Sequence, residues 1–186
     1  FNFFILICFL ITSYEWHMMS RKKLYNFLGF LFLFCSFYSA YKIRMNMTDG
    51  YEYFLTILLI CILTDIGGYI FGKFFKGPKL TKISPKKTYS GVIGGYFFSI
   101  LFMNLLLNYS YILKKNNEIT FNVFIFIILI STVSQLGDIV ISYFKRLSKI
   151  KDTGKIIPGH GGLLDRIDGM IFAYPIAYLI INNSIF

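Results

Sequence analysis

The densest group of polar residues in the chain runs from Ser142 to Asp168 and combines cations, glycines and carboxylates. Its glycines, among them Gly161 and Gly162, allow backbone amides to approach a phosphate closely. Its basic side chains supply positive charge for phosphate oxygens. They include Lys145, Arg146, Lys151, Lys155 and Arg166. The segment predicts a site that handles phosphate groups, and the alternative is a solvated loop.

Two carboxylates close this segment. Asp165 and Asp168 are three residues apart, so they share a face if the segment is helical. Hard oxygen ligands of this kind suit Mg²⁺. The spacing therefore predicts a magnesium site beside the phosphate-binding residues.

A third carboxylate, Asp138, lies inside an apolar stretch, where a charge costs roughly 2.5–3.5 kcal/mol and normally faces protein or a wet cavity. At ~100° per residue, its polar neighbours fall with it on one helical stripe about 80° wide. The stripe is Ser131, Gln135, Asp138, Ser142 and Lys145. The pattern predicts that Asp138 faces the site, and the alternative is an isolated interhelical hydrogen bond.

Asp65 is a fourth acid, in an earlier apolar stretch, and shares a helical face with Gly68 and Gly72. Small residues four apart allow close helix packing, so Asp65 is predicted to point at another helix. At ~1.5 Å per residue, Asp65 and Asp138 both lie ~10–12 Å from the ends of their helices. This matched depth predicts one shared site, with an interhelical hydrogen bond again as the alternative.

The elements that position these residues are membrane-spanning helices. The chain has 186 residues, of which 56% are hydrophobic and 15% charged. The apolar residues form blocks of roughly 17–22 residues, the length that crosses a bilayer. We predict an all-α, polytopic membrane helix bundle of about six spans, the first of them partial. The spans are 1–14, 24–41, 53–72, 89–107, 122–142 and 169–185.

The positive charge predicts the orientation of this bundle. Loops 15–23, 73–88 and 143–168 hold fifteen of the nineteen Lys and Arg residues. Basic loops mark the cytoplasmic side, so these three loops are predicted to face the cytoplasm, where the last two converge. The net charge of +10 therefore indicates membrane topology and anionic lipid rather than nucleic acid.

The run from Ser142 to Asp168 resembles the signature S-x-x-K-R-x4-K-D-x-G-x3-P-G-H-G-G-x-x-D-R-x-D of the phosphatidate cytidylyltransferase (CDP-diacylglycerol synthase) family. The stretch from Asp65 to Gly95 resembles the other region that the family shares, with Gly68 where Ala is common and Tyr89 where Trp is frequent. The resemblance is most specific over 60–170, and the first 50 residues carry no specific match. It implies one membrane-embedded domain over 1–186 whose N-terminus is incomplete.

The resemblance implies transfer of a cytidylyl group from CTP to phosphatidate, with release of pyrophosphate, at a bacterial inner membrane. Mg²⁺ is the implied cofactor, alone or with a second cation, and a homodimer is an expected assembly. The implied metal ligands are Asp138, Asp165, Asp168 and Asp65. The implied catalytic residues are Lys145, Arg146, Lys151, Asp152, His160 and Arg166. The implied substrate-binding residues are Ser84, Lys86, Lys87, Thr88, Ser142, Gly161 and Gly162.

Some roles have alternatives. His160 is expected to donate a hydrogen bond in the glycine-rich turn rather than to act as a base, because a phosphate monoester is already ionised. Ser84-Pro85 also fits a helix N-cap with proline at the first helical position. The rival functions are a CTP-dependent polyprenol or lipid kinase, and a cation channel or transporter that uses Asp65 and Asp138.

Overall fold

The computed structural model of the protein describes residues 1–21, 23–46, 49–114, 121–154, 156 and 161–182, with only the backbone for 46 and 107–114. The helices in this part of the chain are α1 (Asn2–Ser20), α2 (Asn26–Asn46), α3 (Gly50–Phe75), α4 (Tyr89–Lys114), α5 (Phe121–Leu147), α6 (Leu164–Ile167) and α7 (Met170–Asn182). Among the same residues, β pairing is limited to an isolated bridge between Lys79 and Thr88. The prediction of an all-α fold is confirmed.

Among the described residues, five helices, α1 to α5, are long and apolar enough to cross a membrane. The chain is therefore an integral membrane protein. The first helix is longer than the predicted partial span at 1–14, because it continues through the polar residues from Glu15 to Ser20. The last predicted span corresponds to α7, a shorter apolar helix of 13 residues.

Helices α1 to α5 end beyond the predicted apolar blocks because backbone hydrogen bonding continues through the polar and charged residues that follow each block. α5 contains 27 residues, which at 1.5 Å each makes it ~40 Å long, against a hydrocarbon core of ~30 Å. It ends where Lys149 takes a left-handed backbone conformation, and the Ile150 N–H donates to the Lys145 carbonyl. Lys145 and Arg146 are thus held on a rigid helix end.

Glycines make α3 and α4 the most closely packed pair of helices. A Cβ atom at Gly67 would collide with the carbonyl oxygen of Gly94 and lie 2.5 Å from the Cβ of Phe98. Gly91 lies against the carbonyl of Gly68 in the same way. This close contact fixes the loop that joins the two helices.

The α3–α4 loop (76–88) folds back on itself. The Leu80 N–H donates to the Lys87 carbonyl, and the Lys87 N–H donates to the Ser84 carbonyl. Thr88 Oγ1 accepts from the Gly91 N–H, as the N-cap residue of a helix does. The N-cap alternative for Ser84-Pro85 is wrong, because α4 begins at Tyr89 and Ser84 lies in the preceding turn.

The core has two parts. One lies between α2, α3, α5 and α7, around Ile43, Ile57 and Ile130. The other joins α1, α2, α5 and α6, with Trp16 and Leu164 among its buried residues. Because α1 contributes to the second part, it packs beside the polar segment between α5 and α7 (148–169).

Candidate active site

The α3–α4 loop meets α5 through an ion pair. Lys87 Nζ lies 2.7 Å from Asp138 Oδ2 and 3.4 Å from the carbonyl oxygen of Gln135. The second oxygen of Asp138, Oδ1, is buried and has no hydrogen-bond partner among the described residues. The predicted convergence of a basic loop on the intramembrane acid of α5 is therefore present in the structure.

A polar cavity of about 310 Å³ lies at this junction, between α3, α4, α5 and the α3–α4 loop. Asp65 is exposed in its wall and makes no hydrogen bond to the described residues. The cavity lies within the size range of small-molecule sites. It is lined by Thr64, Asp65, Gly68, Tyr69, Ser84, Lys86, Lys87, Thr88, Gly91, Val92, Gln135 and Asp138. The predicted substrate residues of this loop thus share one cavity with Asp65 and Asp138.

The Ser142–Asp168 segment is organised around Lys145, near the end of α5. Its ammonium lies 3.0 Å from Asp165 Oδ1 and 3.6 Å from Asp168 Oδ2, and all three side chains are largely buried. Asp165 and Asp168 therefore share a face, as their spacing predicts. Burying one cation between two acids keeps the net charge low and fixes α6 against the end of α5.

Asp165 is held by the backbone of its own segment. Its Oδ2 accepts hydrogen bonds from the Thr153 N–H at 2.8 Å and the Gly162 N–H at 2.9 Å. Burial by itself would raise the pKa of Asp165, but these bonds and Lys145 outweigh it, so its pKa is lowered. Gly161 has φ of +87°, and a Cβ there would lie 2.7 Å from Asp165 Oδ2. The turn therefore requires glycine at this position.

Asp168 has the opposite electrostatic environment. Burial raises the pKa of Asp168 well above its ordinary value, and the adjacent negative charge of Asp138 raises it further, against the opposing effect of Lys145. The carboxylates of Asp138, on α5, and Asp168, just after α6, thus lie close together, and Asp138 Oδ1 has no hydrogen-bond partner among the described residues. A cation placed there would relieve their repulsion.

The other predicted site residues lie around this centre. Arg146 is exposed and donates to the carbonyls of Ile83 and Ile150, so it connects the α3–α4 loop to the end of α5. Ser142 is half-buried on α5, and Gly162 is buried. Lys151, Asp152 and Arg166 are exposed. His160 lies outside the described residues.

The structure brings the lysine-rich α3–α4 loop and three of the four predicted metal ligands, Asp65, Asp138 and Asp168, to one region. It assigns both oxygens of the fourth, Asp165, to other partners. Among the described residues, no group of three or more His, Cys, Asp or Glu side chains forms a preformed metal site. Mg²⁺ commonly uses only one or two carboxylates together with substrate phosphates, so a pair of acids is a sufficient protein contribution.

Sequence reasoning missed Glu15 and Thr153, which contact each other where α1 packs against the segment between α5 and α7. The Thr153 hydroxyl donates to Glu15 Oε2 at 3.2 Å, and both residues are buried. A signal was present, because Glu15 is the single acidic residue of the first 48. It was interpreted as part of a loop at 15–23, whereas it lies inside α1.

Comparison with known proteins places this site in a family. Residues 1–184 match the model of the Cytidylyltransferase family. A phosphatidate cytidylyltransferase of Staphylococcus aureus (strain COL) is 35% identical over 193 residues, which cover 97% of this chain and 68% of the relative. A protein of the same name from Staphylococcus haemolyticus is 39% identical over 140 residues, which cover 72% of this chain and 50% of the relative.

The chain belongs to the cytidylyltransferase family, which makes it an enzyme of the nucleotidyltransferase class. The resemblance found in the Ser142 to Asp168 segment is thereby confirmed over nearly the whole length. The channel or transporter alternative is wrong, because the family consists of transferases.

Proposed function

We propose that the chain transfers the cytidylyl group of CTP to phosphatidate, forming CDP-diacylglycerol and pyrophosphate, at the polar cavity between α3, α4 and α5. The observation that carries this proposal is the convergence of Lys86 and Lys87 with Asp138 on one cavity of about 310 Å³. A cavity with both cations and carboxylates suits a phosphorylated substrate that arrives with a metal ion. The curated relatives bear the name of this activity.

Both reactants are anions, so catalysis depends on neutralising charge and aligning the groups. A phosphatidate oxygen attacks the α-phosphorus of CTP, the bond to the β-phosphate oxygen breaks, and pyrophosphate leaves. Lys86, Lys87, Ser84 and Thr88 are placed to hold phosphate oxygens along one wall of the cavity. No general base is required, because the phosphate monoester is already largely ionised.

Asp138 and Asp168 are the carboxylates best placed to hold Mg²⁺, with Asp65 across the cavity. Their oxygen donors fit this ion, and Asp138 Oδ1 is buried without a partner among the described residues. When bound, Mg²⁺ would neutralise charge on the triphosphate and stabilise the leaving oxygens. Asp165 remains a proposed ligand, although its hydrogen bonds favour a role in shaping the segment around it.

The proposal places this reaction at the cytoplasmic face of a bacterial inner membrane. The distribution of Lys and Arg supports that orientation, because the two segments that build the site lie in strongly basic loops. Phosphatidate would reach the site from the surrounding lipid and CTP from the aqueous side.

The test is turnover of purified protein with phosphatidate and CTP labelled at either the α- or the γ-phosphorus. Cytidylyl transfer puts the α label into lipid and releases the γ label in pyrophosphate. A CTP-dependent lipid kinase does the reverse when it is given a polyprenol. We expect α label in lipid with phosphatidate as acceptor and none from γ-labelled CTP.

A matched pair of variants ties this turnover to the cavity. Lys87→Met removes the ammonium that contacts Asp138, and Lys42→Met removes a lysine that lies over the ring of Tyr38 on α2. We expect a loss of at least about tenfold for the first, equivalent to ~1.4 kcal/mol, and little change for the second. Lipid labelled from γ-labelled CTP, or equal activity in the two variants, would contradict the proposal.

A further inference from the structure

Glu15 is a buried carboxylate that the proposed reaction does not use. It lies on α1 with 1% of its surface exposed. Its Oε1 accepts from the Leu163 N–H at 2.9 Å, and its Oε2 accepts from the Leu164 N–H at 2.8 Å. Thr153 Oγ1 also donates to Oε2. All three donors belong to the segment between α5 and α7, at least 138 positions later in the chain.

The backbone of that segment closes around the carboxylate from two directions. A Cβ at Gly154 would lie 2.6 Å from Glu15 Oε1, and one at Gly162 would lie 2.5 Å from Oε2. Two short backbone segments, 153–154 and 162–164, therefore approach the same side chain. Glu15 joins them at the point where they would otherwise present unpaired donors to a buried space.

Glu15 and Asp165 both accept hydrogen bonds from these two backbone segments. Asp165 accepts from the backbone N–H groups of Thr153 and Gly162, next to the donors that Glu15 uses. Asp165 in turn contacts Lys145, which also contacts Asp168. A continuous set of hydrogen bonds and ion pairs thus runs from α1 to the carboxylates proposed to hold the metal.

We infer that Glu15 is a positioning residue, which holds the glycine-rich turn and α6 so that Asp168 faces Asp138 across the site. Glu15 touches neither substrate nor metal and acts through the turn. The inference that this placement sets Mg²⁺ and CTP affinity rests on the proposed function. The hydrogen bonds of the turn can be tested without it.

Glu15 could instead have a purely structural role, in which it only packs α1 against the bundle. The expected results then differ. Loss of Glu15 would lower the thermal stability and the folded fraction, but each folded molecule would retain wild-type dependence on Mg²⁺ and CTP. Loss of a positioning residue raises the half-saturating Mg²⁺ and CTP concentrations of the folded molecules. The two roles are therefore separable by saturation curves normalised to folded protein.

The experiment compares Glu15→Gln with Thr12→Val in purified protein. The amide of Gln keeps one acceptor oxygen but offers N–H groups to the donors that the second oxygen held. Thr12 is a buried neighbour on α1 that donates only to the carbonyls of Cys8 and Phe9 among the described residues, so it matches the location without contacting the turn. A third variant, Thr153→Val, removes one donor and leaves the carboxylate in place.

For Glu15→Gln we expect peptides covering 161–168 to exchange amide hydrogens about tenfold faster, since bonds to a charged acceptor are lost. We also expect the half-saturating Mg²⁺ and CTP concentrations to rise at least about fivefold, as for a displaced ligand. Thr12→Val should match wild type in both measurements. Thr153→Val should shift both in the same direction as Glu15→Gln, by less.

Several results would overturn the inference. One is free exchange of the Leu163 and Leu164 amide hydrogens in the wild-type protein. Another is a Glu15→Gln variant whose amide hydrogen exchange and whose Mg²⁺ and CTP saturation curves match those of the wild type. If Glu15→Gln does not fold, unchanged curves in Thr153→Val decide against the inference. Wild-type protein without turnover would instead refute the proposed function, and the exchange data would still test the contact made by Glu15.

Discussion

Asp165 and Asp168 are the same residue type three positions apart, yet their surroundings give them different properties. Backbone N–H groups and Lys145 lower the pKa of Asp165, whereas burial and the charge of Asp138 raise the pKa of Asp168. Asp165 is therefore a stable anion that organises its own turn. At Asp168 the negative charge is disfavoured, so a bound cation would stabilise its ionised form, which is the property expected of a metal ligand.

Asp138 allows a direct test of metal binding at the scale of one side chain. Asp138→Asn keeps the shape and an acceptor for Lys87 but removes a negative charge from a partly desolvated site, where an opposite charge interacts more strongly than in water. We predict folded protein with activity reduced at least about tenfold and partly restored at high Mg²⁺. The measurement is a Mg²⁺ titration of CTP- and phosphatidate-dependent turnover.

Ser131→Ala is the control for that titration. Ser131 lies on the same stripe of α5, two turns away, and its hydroxyl accepts from Thr64 Oγ1 at 2.8 Å. Interhelical hydrogen bonds in membranes average only ~0.6 kcal/mol, so this variant should keep near-normal activity. Superimposable Mg²⁺ titration curves for wild type and Asp138→Asn would mean that Asp138 does not bind the metal and only makes an interhelical contact.

The relative positions of single residues were predictable where helical spacing fixes them. The stripe on α5 and the Asp165/Asp168 pair are such cases, because helical geometry converts their spacing into a shared face. Glu15 was not predictable in this way. Its partners are mainly backbone N–H groups, which every residue except proline possesses, so no pattern of side-chain types identifies them.

At the scale of elements, glycines determine how closely α3 and α4 approach. Gly67 and Gly68 are adjacent in the chain but face different surroundings. A Cβ at Gly67 would collide with the backbone carbonyl of Gly94, whereas one at Gly68 would lie 3.5 Å from the carbonyl of Gly91, an ordinary contact. A methyl group would therefore fit at Gly68 without displacing backbone atoms.

This difference predicts unequal effects of two similar substitutions. Gly67→Ala should destabilise the protein by about 1–3 kcal/mol, the usual cost of overpacking, because backbone atoms must move. Gly68→Ala should be neutral or slightly stabilising. The measurement is the thermal unfolding midpoint of each variant in detergent. Equal midpoints for the two variants would mean that α3 and α4 do not pack as closely as described.

Apolar blocks predicted the existence and order of the helices, but not their ends. The blocks stop at the first charges, while α3 continues through Lys73 and α5 through Arg146, because helical hydrogen bonds depend on the backbone. The start of α4 at Tyr89 was predicted correctly. The Thr88 cap was not, since Ser84-Pro85 offered a competing pattern of the same kind.

At the scale of the whole molecule, two segments distant in sequence form one site because α3 ends, α4 begins and α5 ends on the same side of the bundle. Charge asymmetry predicted this arrangement, since the loops with the most Lys and Arg share a side. Arg146 and Lys87 provide the contacts that join them. The single domain over 1–186 and the homodimer stay predictions.

The most direct measurement uses purified protein in sealed phosphatidate-containing liposomes. A Lys82→Cys variant is labelled with a membrane-impermeant thiol reagent, and labelling of the unmodified protein is subtracted as background. The labelled fraction gives the fraction of molecules whose α3–α4 loop faces out. CTP labelled at the α-phosphorus is added outside only, and label in lipid is measured before and after permeabilisation.

We expect lipid to acquire the α label, and the fraction of turnover seen before permeabilisation to equal the fraction of molecules whose α3–α4 loop faces out. CTP would then be used on the side where the two basic segments meet. Folded protein that leaves lipid unlabelled would contradict the proposed cytidylyl transfer. Turnover that follows the inward-facing fraction would contradict its placement on the side of the α3–α4 loop.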